Sequence, residues 1–167
     1  MPNIDLNSIE KNIFLQKKYP KNLFPMIGIH PCYVGENYKE DLKILEKYLS
    51  EEKFIGIGEV GIDLYHQKKN FDLQKKALEV QIDFAKSMDL PISIHARDSI
   101  VEVFDILKKN KSQKLRGIIH CYSGDEKQML NFFDLNFSIG IGGTLTYKNN
   151  SLLNFLKKDY LDKIVLE

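Results

Sequence analysis

Pro91-Ile-Ser-Ile-His-Ala-Arg-Asp98 decides how this chain folds. An apolar run from Pro91 to Ile94 enters a histidine, and a helical pattern follows at once. Ser99 and Glu102 form an S-x-x-E capping box. Ile100, Val103, Phe104 and Leu107 then recur at helical spacing. The stretch therefore reads as one strand–helix unit with a polar residue at the strand's carboxyl end.

The same unit recurs on both sides. Upstream, Phe24 to Ile29 runs into His30-Pro31, and Leu42, Leu45 and Leu49 mark the helix after it. Phe54 to Gly58 runs into Glu59, and Phe71 to Met88 follows as a helix with Leu78, Ile82 and Ala85 on one face. Downstream, Gly117 to Ile119 runs into His120, with a helix from about Asp125. Phe137 to Ile141 ends in Gly142-Gly143, ahead of a short helix carrying Leu152, Leu153 and Leu156. Lys163 to Glu167 closes the chain as a sixth strand, and Asn7 to Lys18 reads as a helix before the first strand, with nothing in front of it. Strands alternating with helices predict βαβ units and a parallel sheet. With neither an internal repeat nor a linker, residues 1–167 read as one α/β domain.

Composition fits that reading. The chain has 167 residues, 43% hydrophobic and 28% charged, which excludes disordered and low-complexity classes. A formal net charge of +1 gives no overall field to attract nucleic acid or a membrane, so any such contact must be local. No apolar run approaches the roughly 20 residues of a membrane helix, and Met1 to Asn12 does not read as a signal peptide. Cys32 and Cys121 lie far apart without metal-finger spacing, so a reduced, cytoplasmic protein is expected. Cys121, next to His120, is expected in the core, and His66 in a solvated lysine-rich loop.

The strand ends carry the chemistry. Active sites of parallel α/β folds lie at the carboxyl ends of the strands. Here four strands end in His30, Glu59, His95 and His120, and the chain has only 4 His. Imidazoles plus a carboxylate make a good divalent-metal donor set. Taken singly, each of these residues is more often a surface or hydrogen-bonded side chain, and only the joint pattern favours a site. Arg97 shares a strand face with His95. Gly56-Ile-Gly-Glu-Val-Gly61 has the outline of a dinucleotide fingerprint, but Glu59 stands where a pyrophosphate would sit. Its glycines read instead as allowing close backbone approach around Glu59.

Five segments, in order and spacing, resemble the TatD-type metal-dependent deoxyribonucleases of the amidohydrolase-like superfamily. They are Gly28–Pro31, Ile57–Tyr65, Pro91–Asp98, Ile118–Gly124 and Phe137–Asn149, followed by the closing Lys163–Glu167. The resemblance implies a (β/α)8 barrel, of which about six of eight parallel strands are expected here. It implies that Glu59, His95 and His120 are metal ligands, with Glu59 able to bridge two metals. His30 and Arg97 would meet the substrate phosphate, and Asp63 and Tyr65 fall in a family segment without an assigned role. It implies one or two divalent ions (Mg, Mn or Zn) and a DNA phosphodiester substrate.

The sequence departs from the family pattern at two points. It contains no H-x-H pair, and the family's final Asp, the expected base, would lie beyond Glu167. The expectation is a chain truncated at both ends, against roughly 250 residues for a full barrel. Such a chain would bind at most one metal, have little activity alone and self-associate through unpaired sheet edges. Two other readings stay open: a metal hydrolase acting on a non-nucleic ester or amide, and a non-catalytic remnant.

Overall fold

Five apolar runs pair edge to edge in the computed structural model, which describes residues 1–148 and 150–167. They are β1 (Ile57–Asp63), β2 (Ile92–Arg97), β3 (Gly117–Ile119), β4 (Phe137–Ile141) and β5 (Ile164–Leu166). The sheet order is sequential, and every pairing is parallel. Sequential parallel strands with helical crossovers are the arrangement of a (β/α)8 barrel, and this chain forms five of its staves. The helices are α1 (Ile9–Lys18), α2 (Tyr38–Glu51), α3 (Phe71–Ser87), α4 (Ile100–Lys109) and α5 (Glu126–Asp134). Their apolar faces bury Leu45, Leu78, Ile82, Val103, Leu107 and Phe132 against Val60, Ile62, Ile94, Ile119 and Ile139 of the sheet. Near-continuous burial along β1 and β2 is the signature of a parallel sheet covered on both faces.

The expected first strand, Phe24 to Ile29, is reduced to one bridge between Ile27 and Ile57. Its backbone groups are shared among several partners. Met26 N–H bonds Met1 O, Ile27 N–H bonds Gly56 O, and His30 N–H bonds Ile4 O. Asn3 donates to Gly58 O and accepts from Glu59 N–H. Residues 1–5 thus run beside this segment and complete it.

The second expected strand, Phe54 to Gly58, is shifted. β1 begins at Ile57 and continues past Glu59 to Asp63, so Glu59 lies within the strand, where the register shifts. Gly61 makes that continuation possible. Its φ is +148°, and a Cβ there would overlap the His95 carbonyl. The bare backbone lets β1 and β2 stay paired up to Asp63 and Arg97.

Two capping expectations also change. Ser99 is the N-cap of α4, but its hydroxyl donates to Ile62 O (2.8 Å) instead of closing a capping box. A true capping box sits at α5, where Asp125 and Gln128 bond each other's backbone N–H. The expected short helix near Leu152 is a 3-10 turn at Leu152–Asn154, because Asn150 accepts from Leu152 N–H and closes a tight turn there.

Candidate functional site

The site forms where strand ends converge on one carboxylate oxygen. Glu59 Oε1 lies 3.1 Å from His95 Nδ1, 3.8 Å from His120 Nε2 and 3.9 Å from His30 Nε2. Four residues from four separate segments of the chain therefore meet at one point. Glu59, His30 and His95 are largely buried, and His120 is more open, with its side chain 37% exposed. The donor atoms of His30, Glu59 and His95 lie within 4.8 Å of one another. His120 joins through Glu59 alone and stands at the edge of that cluster.

Buried side-chain amides hold the strand ends that carry these groups. Gln81 on α3 accepts from Ile29 N–H (2.8 Å), next to His30. Two helical turns earlier, Gln74 accepts from Asp63 N–H (2.8 Å) and donates to Asp63 O. Both glutamines are fully buried on the face that also carries Ala77, Leu78, Ile82 and Ala85. A polar amide seven residues from its twin, inside an apolar helix face, is a sequence signal that could have located them. Without these amides the backbone groups of Ile29 and Asp63 that they bond would be buried and unsatisfied.

Each histidine is held at its far side by a different partner. His95 Nε2 lies 3.1 Å from Asp63 Oδ2, and His120 Nδ1 lies 2.8 Å from Glu167 Oε2. His30 Nδ1 instead accepts from Cys32 N–H at 3.2 Å. An accepting Nδ1 leaves the proton of a neutral imidazole on Nε2. His30 therefore turns an N–H toward Glu59, not a lone pair. Burial, together with the neighbouring His95, lowers its pKa to about 4, so the ring is neutral at pH 7.

The two carboxylates at the heart of the cluster are ionised. Burial opposes the charge on Glu59, but its bond to His95 and the three surrounding imidazoles outweigh that and lower its pKa. Burial likewise opposes the charge on Asp63. Hydrogen bonds from His66 N–H (2.6 Å), the His66 ring (2.9 Å), His95 and the Cys32 thiol (3.5 Å) hold its pKa well below the ordinary carboxylate range. His66, expected to be merely solvated, is thus exposed on one side and tied to Asp63 on the other. Burial and the nearby Asp63 push the Cys32 thiol up to about 11.

Arg97 projects from the end of β2 at the mouth, with its guanidinium 4.5 Å from the centre of the exposed Tyr65 ring. A cavity of about 360 Å³ opens beside it, lined by His95, Arg97, His120, Cys121, Ser123 and Thr144. Cys121, expected in the core, lines this cavity, with Sγ 3.9 Å from Thr144 Oγ1. A positive φ of 46° turns its backbone there. The Phe137–Asn149 segment forms part of the rim, and its last residue, Asn149, lies outside the described residues.

The donor set fits a divalent cation. The donor atoms of His30, Glu59 and His95 lie within 4.8 Å of one another, a spacing that one ion can bridge, and His120 stands 3.8 Å from Glu59 at the edge of that group. Imidazole nitrogens and a carboxylate oxygen are the donors that zinc and manganese take in such sites.

Sequential parallel strands with a polar cluster at their carboxyl ends define the class of this molecule, that of the (β/α)8 barrel proteins. Within it, the chain belongs to the TatD related DNase family, whose model matches residues 1–167. It is 35% identical over 127 residues to the uncharacterized metal-dependent hydrolase YabD of Bacillus subtilis, covering 76% of this chain and 50% of that protein. It is 34% identical over 163 residues to an uncharacterized metal-dependent hydrolase of Buchnera aphidicola, covering 96% of this chain and 61% of that one. The crystal structure of YjjV, a TatD homolog from Escherichia coli K12, superposes with a TM-score of 0.92 at 28% identity. That match covers 100% of this chain and 65% of YjjV. The chain thus spans about half to two thirds of the length of these relatives.

Proposed function

We propose that this chain carries the cation and phosphate site of a metal-dependent phosphodiesterase acting on DNA. One observation carries the reading: three imidazoles from separate segments converge on the ionised carboxylate of Glu59. In this reading Glu59, His95 and His120 hold one divalent ion, Mg, Mn or Zn. When bound there, such an ion supplies Lewis-acid polarisation of a phosphoryl oxygen.

The chain's own residues would divide the remaining work. His30, neutral with its N–H on the inner nitrogen, is suited to donate to a phosphate oxygen rather than to ligate. Arg97 at the rim offers a planar fork that matches two phosphate oxygens. Its stacking on Tyr65 restrains that fork before substrate arrives. The cavity beside His120 gives room for the sugar next to the scissile phosphate. Among the described residues no general base is assigned, and slow turnover is expected.

Calorimetry with Mn²⁺ and hydrolysis of a single-stranded oligonucleotide test this. We expect one equivalent of Mn²⁺, lost in Glu59→Gln. Arg97→Ala should weaken oligonucleotide binding while leaving Mn²⁺ binding unchanged. A wild-type protein that binds no divalent ion, or an ester panel cleaved in preference to the oligonucleotide, would overturn the assignment.

A further inference from the structure

A second group of donors meets outside the Glu59 cluster. We propose that Cys32, Asp63 and His66 form a separate site for a thiophilic divalent cation, zinc above all, which takes sulfur, oxygen and nitrogen from three segments of the chain. None of the three is assigned to the ion at Glu59, so the inference goes beyond the phosphodiesterase reading and stands without it.

The donors gather at one carboxylate oxygen. Asp63 Oδ2 lies 2.9 Å from His66 Nδ1 and 3.5 Å from Cys32 Sγ. One ligand atom from each residue lies within 4.8 Å of the other two, a spacing that one ion can bridge. Cys32 comes from the 3-10 turn at Pro31–Tyr33, Asp63 from the end of β1, and His66 from the loop before α3. Their backbones are held without an ion. Cys32 N–H bonds His30 Nδ1, Gln74 bonds both backbone groups of Asp63, and His66 N–H bonds Asp63 Oδ1.

Charge gives an independent reason. Asp63 is ionised, and its side chain is only 1% exposed. Among the described residues it pairs with no lysine or arginine, only with the rings of His66 and His95. Charges this deeply buried are ordinarily paired or bound to a metal. Two of the groups that satisfy Asp63, the Cys32 thiol and the His66 ring, are themselves metal-ligand types. An entering ion displaces the thiol proton to solvent, and thiolate and carboxylate together then balance its two positive charges.

Sulfur sets the selectivity. A thiolate favours zinc over magnesium and manganese, whereas the Glu59 cluster offers only nitrogen and oxygen. The His66 side chain is 51% exposed, so solvent reaches the site from that side and a water can complete a tetrahedron. An ion held there would pin the loop that carries Tyr65, on which the Arg97 guanidinium rests.

Cobalt makes the test visible, because Co²⁺ takes zinc-type sites and a thiolate bound to it absorbs in the near ultraviolet. Metal-free protein, kept reduced, is titrated with Co²⁺. We expect a sulfur-to-cobalt band that Zn²⁺ abolishes and Mg²⁺ leaves in place. The band should be lost in Cys32→Ser and kept in Cys121→Ser, which removes the other thiol. His66→Ala alters a half-exposed side chain and spares the core, so it serves if Cys32→Ser does not fold. It should weaken Co²⁺ binding roughly tenfold or more. Glu59→Gln should keep the band.

A wild type without the band, or a band that survives Cys32→Ser, would overturn the proposal. So would a Co²⁺ affinity unmoved by His66→Ala, or a band lost in Cys121→Ser or Glu59→Gln. A protein that shows the band yet binds no Mn²⁺ would overturn the Glu59 reading alone.

Discussion

The β1–β2 side of the site and the β4–β5 side do the same job by different means. Asp63 is sealed between paired strands and gathers four donors around its two oxygens. Glu167 reaches its histidine from the end of an edge strand, beside Val165 and Leu166, which are 40% and 82% exposed. On the first side a carboxylate is held by burial, and the fold cannot release it cheaply. On the second a side chain held by the His120 ring and Cys121 N–H sits in a gap left by a glycine. Orientation therefore comes with stability on one side and nearly free of it on the other.

The two glycines give the sharpest way to break this comparison. Gly61→Ala sets a Cβ against His95 backbone at a positive φ, which neither side can relieve. It should destabilise the protein by about 4 kcal/mol. Gly140→Ala meets the far end of the Glu167 side chain, which can turn aside. It should cost less than about 1 kcal/mol, yet still free His120 from its partner. Urea unfolding midpoints check both, and equal losses would erase the distinction.

Acid should come next in size. His30 has a folded pKa of about 4 against 6.5 for the free ring, so the unfolded chain takes up the proton first as pH falls. Stability is full above pH 6.5 and declines between 6.5 and about 4, by up to roughly 3 kcal/mol. In metal-free protein, His30→Gln should flatten that decline in urea titrations run across the window. Further down, Asp63 has a depressed pKa, so its contribution is present above the ordinary carboxylate range and is lost only in stronger acid.

Removing the carboxylates separates the sides again. Asp63→Asn leaves several buried donors poorly matched and should cost about 1–3 kcal/mol, whereas Glu167→Gln should stay within about 0.5 kcal/mol. The smallest effect concerns the thiols. With its thiol pushed up to about 11, Cys32 should alkylate slowly at pH 8 in EDTA-treated protein. Cys121, at the cavity mouth, should react first. Peptide mapping after iodoacetamide decides the order.

Much of this was legible from residue order. Apolar runs of parallel-sheet character located β2, β3 and β4 closely, because those strands are buried and their ends are punctuated by polar residues. His95 in β2, His120 just after β3 and Glu59 within β1 do meet in space. Legibility fell where pairing depended on partners distant in sequence. Phe24 to Ile29 looks like a strand, yet Asn3, Met1 and Gln81 take up its backbone groups. Ser99 has the spacing of a capping box, yet Ile62 O, brought close by the sheet, wins its hydroxyl. His66 and Cys121 were misplaced because their surroundings are assembled from other elements.

By itself, then, the sequence determined the alternation of strand and helix and the residue types at the strand ends. Both are local properties, set by side-chain periodicity and by where apolar runs stop. Only the tertiary structure decided which nitrogen of each histidine faces Glu59, since that depends on Asp63, Glu167 and the Cys32 N–H arriving from other segments. A ring's orientation is set by what lies behind it, and in this fold that partner lies 2 residues away for His30 but 32 for His95, and at the far end of the sheet for His120.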